Sequence, residues 1–221
     1  RGKLSQLSRL LEAVDADRLR GLSTPMLRLL FRTWPRLGAR SVAHRDSLLA
    51  VLHALGKTGL APVRSWLEPY LQHADFWVRM ETRLALARLG DAQARTELAA
   101  ALSTAADHHR TRLSRMLGRL DPETLGGVVN QLIAVKDPYV RLAAGAALYY
   151  AGDRRNGVLI GALRSSRASV RSRARRYLAL DLNAHAHAAL KRVRAKERDP
   201  VARGELDRLL ATHEPRPQGF R

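Results

Sequence analysis

Two stretches of the chain share one pattern: DFWVRMETRLALARLGD at residues 75–91 and DPYVRLAAGAALYYAGD at residues 137–153. Each opens on an aspartate, continues with an apolar residue and an arginine, and closes on Gly-Asp. After Val78 the apolar or small residues Thr82, Ala85, Leu86 and Leu89 fall at offsets 4, 7, 8 and 11, and after Val140 the same offsets give Ala144, Ala147, Leu148 and Ala151. That spacing draws one face of an α-helix. Asp75 and Asp137 stand where an N-cap carboxylate accepts backbone N–H bonds. Pro138 fits the first helical position, whose N–H has no partner inside the helix. Gly90 and Gly152 suit the left-handed residue that ends a helix.

The pattern recurs through the chain. Val170-Arg171 opens it again, and His44-Arg45, His109-Arg110 and Ala202-Arg203 fit the frame with weaker first residues. Successive arginines are 34, 31, 31, 30 and 32 residues apart. Asp199 and Pro200 repeat the cap, while Asp181 and His213 interrupt the apolar stripe where two of the helices should stop. A second apolar-periodic segment lies between consecutive markers, at 62–72, 92–102, 122–135, 158–163 and 184–193. No stretch alternates as a strand would. Two helices per repeat, each with one apolar stripe, bury a core only by stacking on their neighbours. The expectation is an all-α chain, an α-solenoid of about six helical hairpins. Residues 1–41 read as an N-terminal helical cap, 42–213 as the solenoid and 214–221 as a flexible tail. The chain opens on Arg1 rather than methionine, which leaves open whether an upstream stretch has been removed.

The period and the Asp-x-x-Val-Arg opening resemble HEAT-like repeats, in particular the short form found in bacteria and in phycobilin lyases. In that family the arginine after the first apolar residue bonds the aspartate of a neighbouring turn, building a ladder. The resemblance therefore implies ladder roles for Asp75 and Arg79, Asp137 and Arg141, and Asp199 and Arg203. Arg171 has no acid at the matching place, since Arg167-Ala168-Ser169 precedes Val170. The likeness is one of repeat and carries no catalytic residue, so it implies no lyase activity.

Composition narrows the function. There are 39 Lys+Arg against 20 Asp+Glu in 221 residues, a net charge of +19, and no cysteine. Lacking cysteine, the chain has no disulfide, thiolate metal site or cysteine nucleophile. No apolar run of about eighteen residues is present to span a bilayer. Aromatic residues are only 5%, too few for stacking platforms on single-stranded nucleic acid. A charge this far from zero favours acidic partners. It is also uneven: from residue 150 onward 17 basic residues face 7 acidic ones, against 22 and 13 in the first 149. Arg154, Arg155, Arg164, Arg167, Arg173, Arg175 and Arg176 form a basic block, followed by Lys191, Arg192, Arg194, Lys196 and Arg198. Equivalent positions of stacked repeats line up, so these residues are expected to form one docking ridge. The bland alternative is a solvated face.

Candidates for chemistry are fewer. Trp34, Trp66 and Trp77 lie in the first half, with Asp75 beside the last two. Alkylpurine DNA glycosylases built on related repeats use an aspartate among aromatic residues, but here Asp75 is already claimed by its cap position. The tryptophans are expected to pack. His185 and His187 are two residues apart, about 200° around a helix, where metal-binding pairs need three or four. His108 and His109 are adjacent, and His109 fills a stripe position. No metal or cofactor is expected. Gly56-Lys57-Thr58-Gly59 resembles the tail of a phosphate loop but lacks its first glycine and a preceding strand. The sequence thus points to a cytoplasmic, non-enzymatic binding module for an acidic partner, first a protein surface and second a nucleic-acid backbone, with a glycosylase-like enzyme dependent on one carboxylate as the third reading.

Overall fold

The computed structural model describes residues 42–153, 157–182 and 184–212. The cap and tail expectations, Trp34, Arg154, Arg155 and His213 all lie outside the described residues. Among the described residues there are eleven α-helices and no strand. Contacts gather the chain into two compact units, Arg1–Leu98 and Ala99–Arg221.

The first unit holds α1 (Val42–Lys57), α2 (Arg64–Leu67), α3 (Phe76–Arg88) and the start of α4 (Ala92–Thr104). Asp75 caps α3 as its position requires, accepting from the N–H groups of Trp77 at 2.7 Å and Val78 at 3.2 Å. Val78, Thr82 and Ala85 are fully buried, so the stripe faces the core. Gly56, near the end of α1, lies against Ala85: a Cβ there would come within 2.6 Å of the Ala85 Cα. The sequence predicts a plain helix at 62–72, but the structure has 3-10 turns at Ala61–Val63 and Glu68–Gln72 flanking the short α2. Pro69 explains the break, because it has no N–H to donate and its ring crowds the carbonyl four residues back.

The second unit contains α5 (Asp107–Leu117), α6 (Pro122–Ile133), α7 (Pro138–Tyr150), α8 (Gly157–Ala162), α9 (Ala168–Ala179), α10 (Ala184–Lys196) and α11 (Pro200–Thr212). Asp137 and Asp199 cap α7 and α11 through the N–H groups of Tyr139 at 2.8 Å and Val201 at 2.9 Å. At the other end of α7, Gly152 has φ 112. Its N–H reaches the Tyr149 carbonyl at 3.1 Å while the Asp153 N–H reaches Leu148 at 3.0 Å. Those two bonds form a Schellman cap. Gly90 ends α3 in the same way, with φ 84 and bonds from Gly90 to Ala87 and from Asp91 to Leu86.

The odd-numbered helices from α5 to α9 carry the marker sequence and pack side by side. α7 lies in the middle and is buried on most sides, from Leu142 through Ala147. Small residues allow the close approach: Ser114 on α5 donates to the Ala143 carbonyl at 2.9 Å, and Gly118 leaves room for Tyr150, whose Cβ an added methyl would strike. On the other side, Tyr149 donates to the Asp181 carbonyl at 2.7 Å and Tyr150 to that of Tyr177 at 2.8 Å. Burial pushes the Tyr150 hydroxyl far above its ordinary value, with the neighbouring Tyr177 adding to the shift.

Candidate functional site

The marker arginines come first, because their position in every repeat makes them the obvious functional series. Their shared contact is with main-chain carbonyls, and of the four described next only Arg110 also touches an aspartate of its own repeat, Asp107 at 3.4 Å. Arg79 donates to the carbonyls of His73 at 2.6 Å and Ala74 at 2.9 Å. Arg171 does the same to Ser165 at 2.8 Å and Ser166 at 3.0 Å. Arg203 reaches the Glu197 carbonyl and Arg110 that of Ser103. Each of these arginines folds back to tie the turn preceding its own helix. Asp75 and Asp199 bond the first N–H groups of their helices, while the guanidiniums of Arg79 and Arg203 take the free carbonyls of the incoming turn. Since no acid takes part, Arg171 plays the role fully despite having none. The nearest approach to a rung is Arg45, whose Nε lies 3.6 Å from Asp75 of the next repeat. Arg141 is exposed.

The basic block divides into two groups. Arg164, Arg167, Arg176, Lys191, Arg192, Lys196 and Arg198 are exposed. Three others are engaged within the fold. Arg175 is mostly buried, donates to the Ala202 carbonyl at 3.2 Å and lies 3.3 Å from Glu205, pinning α9 to α11. Arg194 meets Asp207 through Nε at 2.7 Å, an exposed pair between α10 and α11.

Arg173 makes the most unexpected contact. It reaches Asp107 with both terminal nitrogens, one to each carboxylate oxygen. The two residues are 66 apart in sequence. On the way the guanidinium passes over the Tyr139 ring, 4.6 Å from its centroid. The Tyr139 hydroxyl is itself held by Ser169 at 2.8 Å. Thus α9 clasps α5 across the end of α7. Arg110 adds a longer contact to the same carboxylate at 3.4 Å. The hydrogen bonds from Arg173 hold the Asp107 carboxyl below its usual range; burial opposes them, and the charges of Arg173, Arg110 and Arg176 add to the lowering.

Position in the repeat explains why this acid is available. At α3, α7 and α11 the aspartate is the N-cap, but α5 has Ala106 there with no side-chain cap, and Asp107 is the first helical residue. Its carboxylate is turned outward and 56% exposed. The only sequence signal for the clasp is that one-residue shift of the acid, and nothing local names Arg173 as its partner.

The remaining candidates settle into structural places. Trp66 and Trp77 are half-buried, and Trp77 meets Phe76 edge-to-face at 5.0 Å. Asp75 is occupied by its cap. Among the described residues no group of three or more His, Asp or Glu is arranged to hold a metal. His108 and His109 lie with ring centroids 4.0 Å apart. Sequence reading missed His53, buried in α1 with Nδ1 3.0 Å from Glu81 of α3; Arg88 approaches the same nitrogen at 3.0 Å. No helix among the described residues is long and apolar enough to cross a membrane.

No model of a protein family matches the sequence, and no curated protein does. Solved structures similar in chain trace include two helical-repeat proteins. One is the complex of CpcE and CpcF of phycocyanin lyase from Nostoc sp. PCC7120, at 18% identity and TM-score 0.34, covering 90% of this chain and 95% of that one. The other is the archaeal HEAT-like repeats protein from Thermococcus onnurineus NA1, at 15% identity and TM-score 0.36, covering 94% and 95%.

Proposed function

We propose that the protein is a helical-repeat binding module that docks an acidic protein surface on the basic side chains of its second unit. The observation that carries this reading is the exposure of seven basic residues, Arg164, Arg167, Arg176, Lys191, Arg192, Lys196 and Arg198, beside three that are already paired within the fold. Held at such density without neutralisation, like charges repel and cost stability, so a partner that supplies carboxylates gains both contact and relief. The reading is of a cytoplasmic, non-enzymatic adaptor. Helical repeats present equivalent side chains at a fixed spacing, which suits an extended acidic surface better than a compact substrate. A protein is preferred to nucleic acid because few aromatic residues accompany the arginines, leaving little for bases to stack on.

The test is direct binding of a fluorescein-labelled octaglutamate peptide, compared with a DNA duplex, followed by anisotropy. A variant with Arg164→Gln, Arg167→Gln, Arg192→Gln and Lys196→Gln serves as the control. The expected result is peptide binding that the variant loses at least tenfold. If the variant binds the peptide like the parent, the basic block is only a solvated face. Duplex binding tighter than peptide binding would replace the protein partner with a nucleic-acid backbone.

A further inference from the structure

Three arginines of the second unit, Arg110, Arg173 and Arg176, direct their charge at one carboxylate, and that carboxylate belongs to the protein itself. Arg173 grips both oxygens of Asp107, the fork-on-fork geometry by which arginine recognises carboxylates in general. Beside the pair, the Arg110 Nε is a buried donor without a hydrogen-bond acceptor. Arg110 also donates to that carboxylate, through Nη1 at 3.4 Å, so two guanidinium groups meet it.

Two features separate this pair from an ordinary strut. First, Arg173 has a second support besides Asp107. Its guanidinium lies on the Tyr139 ring, and that ring is anchored through its hydroxyl to Ser169. Such a cation–π contact keeps the fork aimed after the carboxylate leaves. Second, Asp107 is cheap to displace. It is more than half exposed, stands at the first position of a helix, and moves on its own side-chain torsions without disturbing the backbone. Exposed ion pairs contribute little to folding, so breaking this one costs far less than a partner's several contacts return.

We propose that Asp107 is an internal stand-in for the acidic partner: it occupies the carboxylate site made by Arg173 and Arg110, and an Asp or Glu side chain of the docking protein replaces it. The inference rests on the function proposed above and adds to it a specific central contact and a threshold. Because Asp107 is tethered beside the arginines, its effective concentration is high, and isolated acidic side chains do not compete with it. A partner must bring acids that engage the exposed arginines at the same time. The stand-in thereby discriminates against small anions and weakly acidic surfaces, a repulsive element of the kind specific interfaces use.

The experiment is a binding series with the octaglutamate peptide on the full chain. Asp107→Asn removes the competing charge with little change of shape. Glu123→Gln, at an exposed acid in the first turn of α6, changes net charge equally and serves as the charge control. Asp107→Asn is expected to tighten binding about fivefold, the scale of one exposed ion pair, and Glu123→Gln less than about twofold. In the double variant Asp107→Asn with Arg173→Gln, the gain should disappear. If Asp107→Asn binds no tighter than Glu123→Gln while the four-site Gln variant still loses binding, the stand-in is overturned and the docking ridge survives. If no form binds, or the four-site variant binds like the parent, the ridge falls and the stand-in falls with it.

Discussion

At the scale of single residues, the marker arginine is the clearest case of a legible position with an illegible role. Its place after the first apolar residue is written in the sequence at regular intervals. What it touches is set by the main chain of the preceding turn, which no side-chain pattern records. Arg171 shows the consequence, since it ties Ser165 and Ser166 although its helix has Arg167 rather than an acid at the N-cap. Arg171→Ala should destabilise the second unit by about 1–2 kcal/mol, the scale of hydrogen bonds from a charged donor discounted for partial exposure. Arg171→Lys should recover less than half, because one ammonium cannot reproduce the planar fork. Urea unfolding of the parent and the two variants checks this, and equal midpoints for the parent and the Arg171→Ala protein would leave the tie without energetic weight.

Helices and their ends were the most legible level. Asp75, Asp137 and Asp199 cap the helices that their spacing assigns them, and Gly90 and Gly152 end two in the left-handed conformation. The physical reason is that caps are local: donor, acceptor and glycine lie within a few residues of each other. Where the local signal was incomplete the outcome differed, as at Pro69, which divides an expected helix into 3-10 turns. Cap chemistry also gives opposite predictions for two neighbouring marker helices. Asp137→Ala should cost about 1 kcal/mol by stranding the first N–H groups of α7. Ala106→Ser should stabilise by a similar amount, because α5 has extended backbone at its N-cap, φ -61 and ψ 155, and no side-chain acceptor there. Thermal midpoints that move in the same direction for both would contradict this account of the caps.

The clasp between α5 and α9 belongs to the same scale and has a pH signature. Asp107 has a folded-state pKa lowered by Arg173. Its contribution is therefore present above the ordinary carboxylate range and is lost as the pH falls through the lowered folded value. As the pH falls below the ordinary carboxylate range, the Asp107→Asn protein should lose less stability than the parent. A parallel acid profile for the two proteins would show that the pair does nothing for the fold. The clasp was invisible in sequence because it joins residues two repeats apart, and a repeat pattern predicts only where equivalent positions fall, not which of them are bridged.

Across the whole molecule, charge is what the repeat does not explain. Stacking helices require apolar stripes and caps, and those account for Val78, Val140, Val170 and the aspartates. They do not require a net charge of +19, nor its concentration after residue 150. The sequence located the basic block but treated all of it alike. The structure divides it, taking Arg173, Arg175 and Arg194 into ion pairs and leaving seven described residues exposed. Pairing depends on Asp107, Glu205 and Asp207, which lie on other helices and reveal their partners only when the chain is folded.

The most direct test of the docking claim is the affinity of the octaglutamate peptide measured across a salt series, for the parent and for the variant with Arg164, Arg167, Arg192 and Lys196 changed to Gln. The account predicts that the parent binds the peptide more tightly than a DNA duplex near physiological salt, and that the variant loses at least tenfold with a shallower salt dependence. Equal affinity and equal salt slope in parent and variant would contradict it.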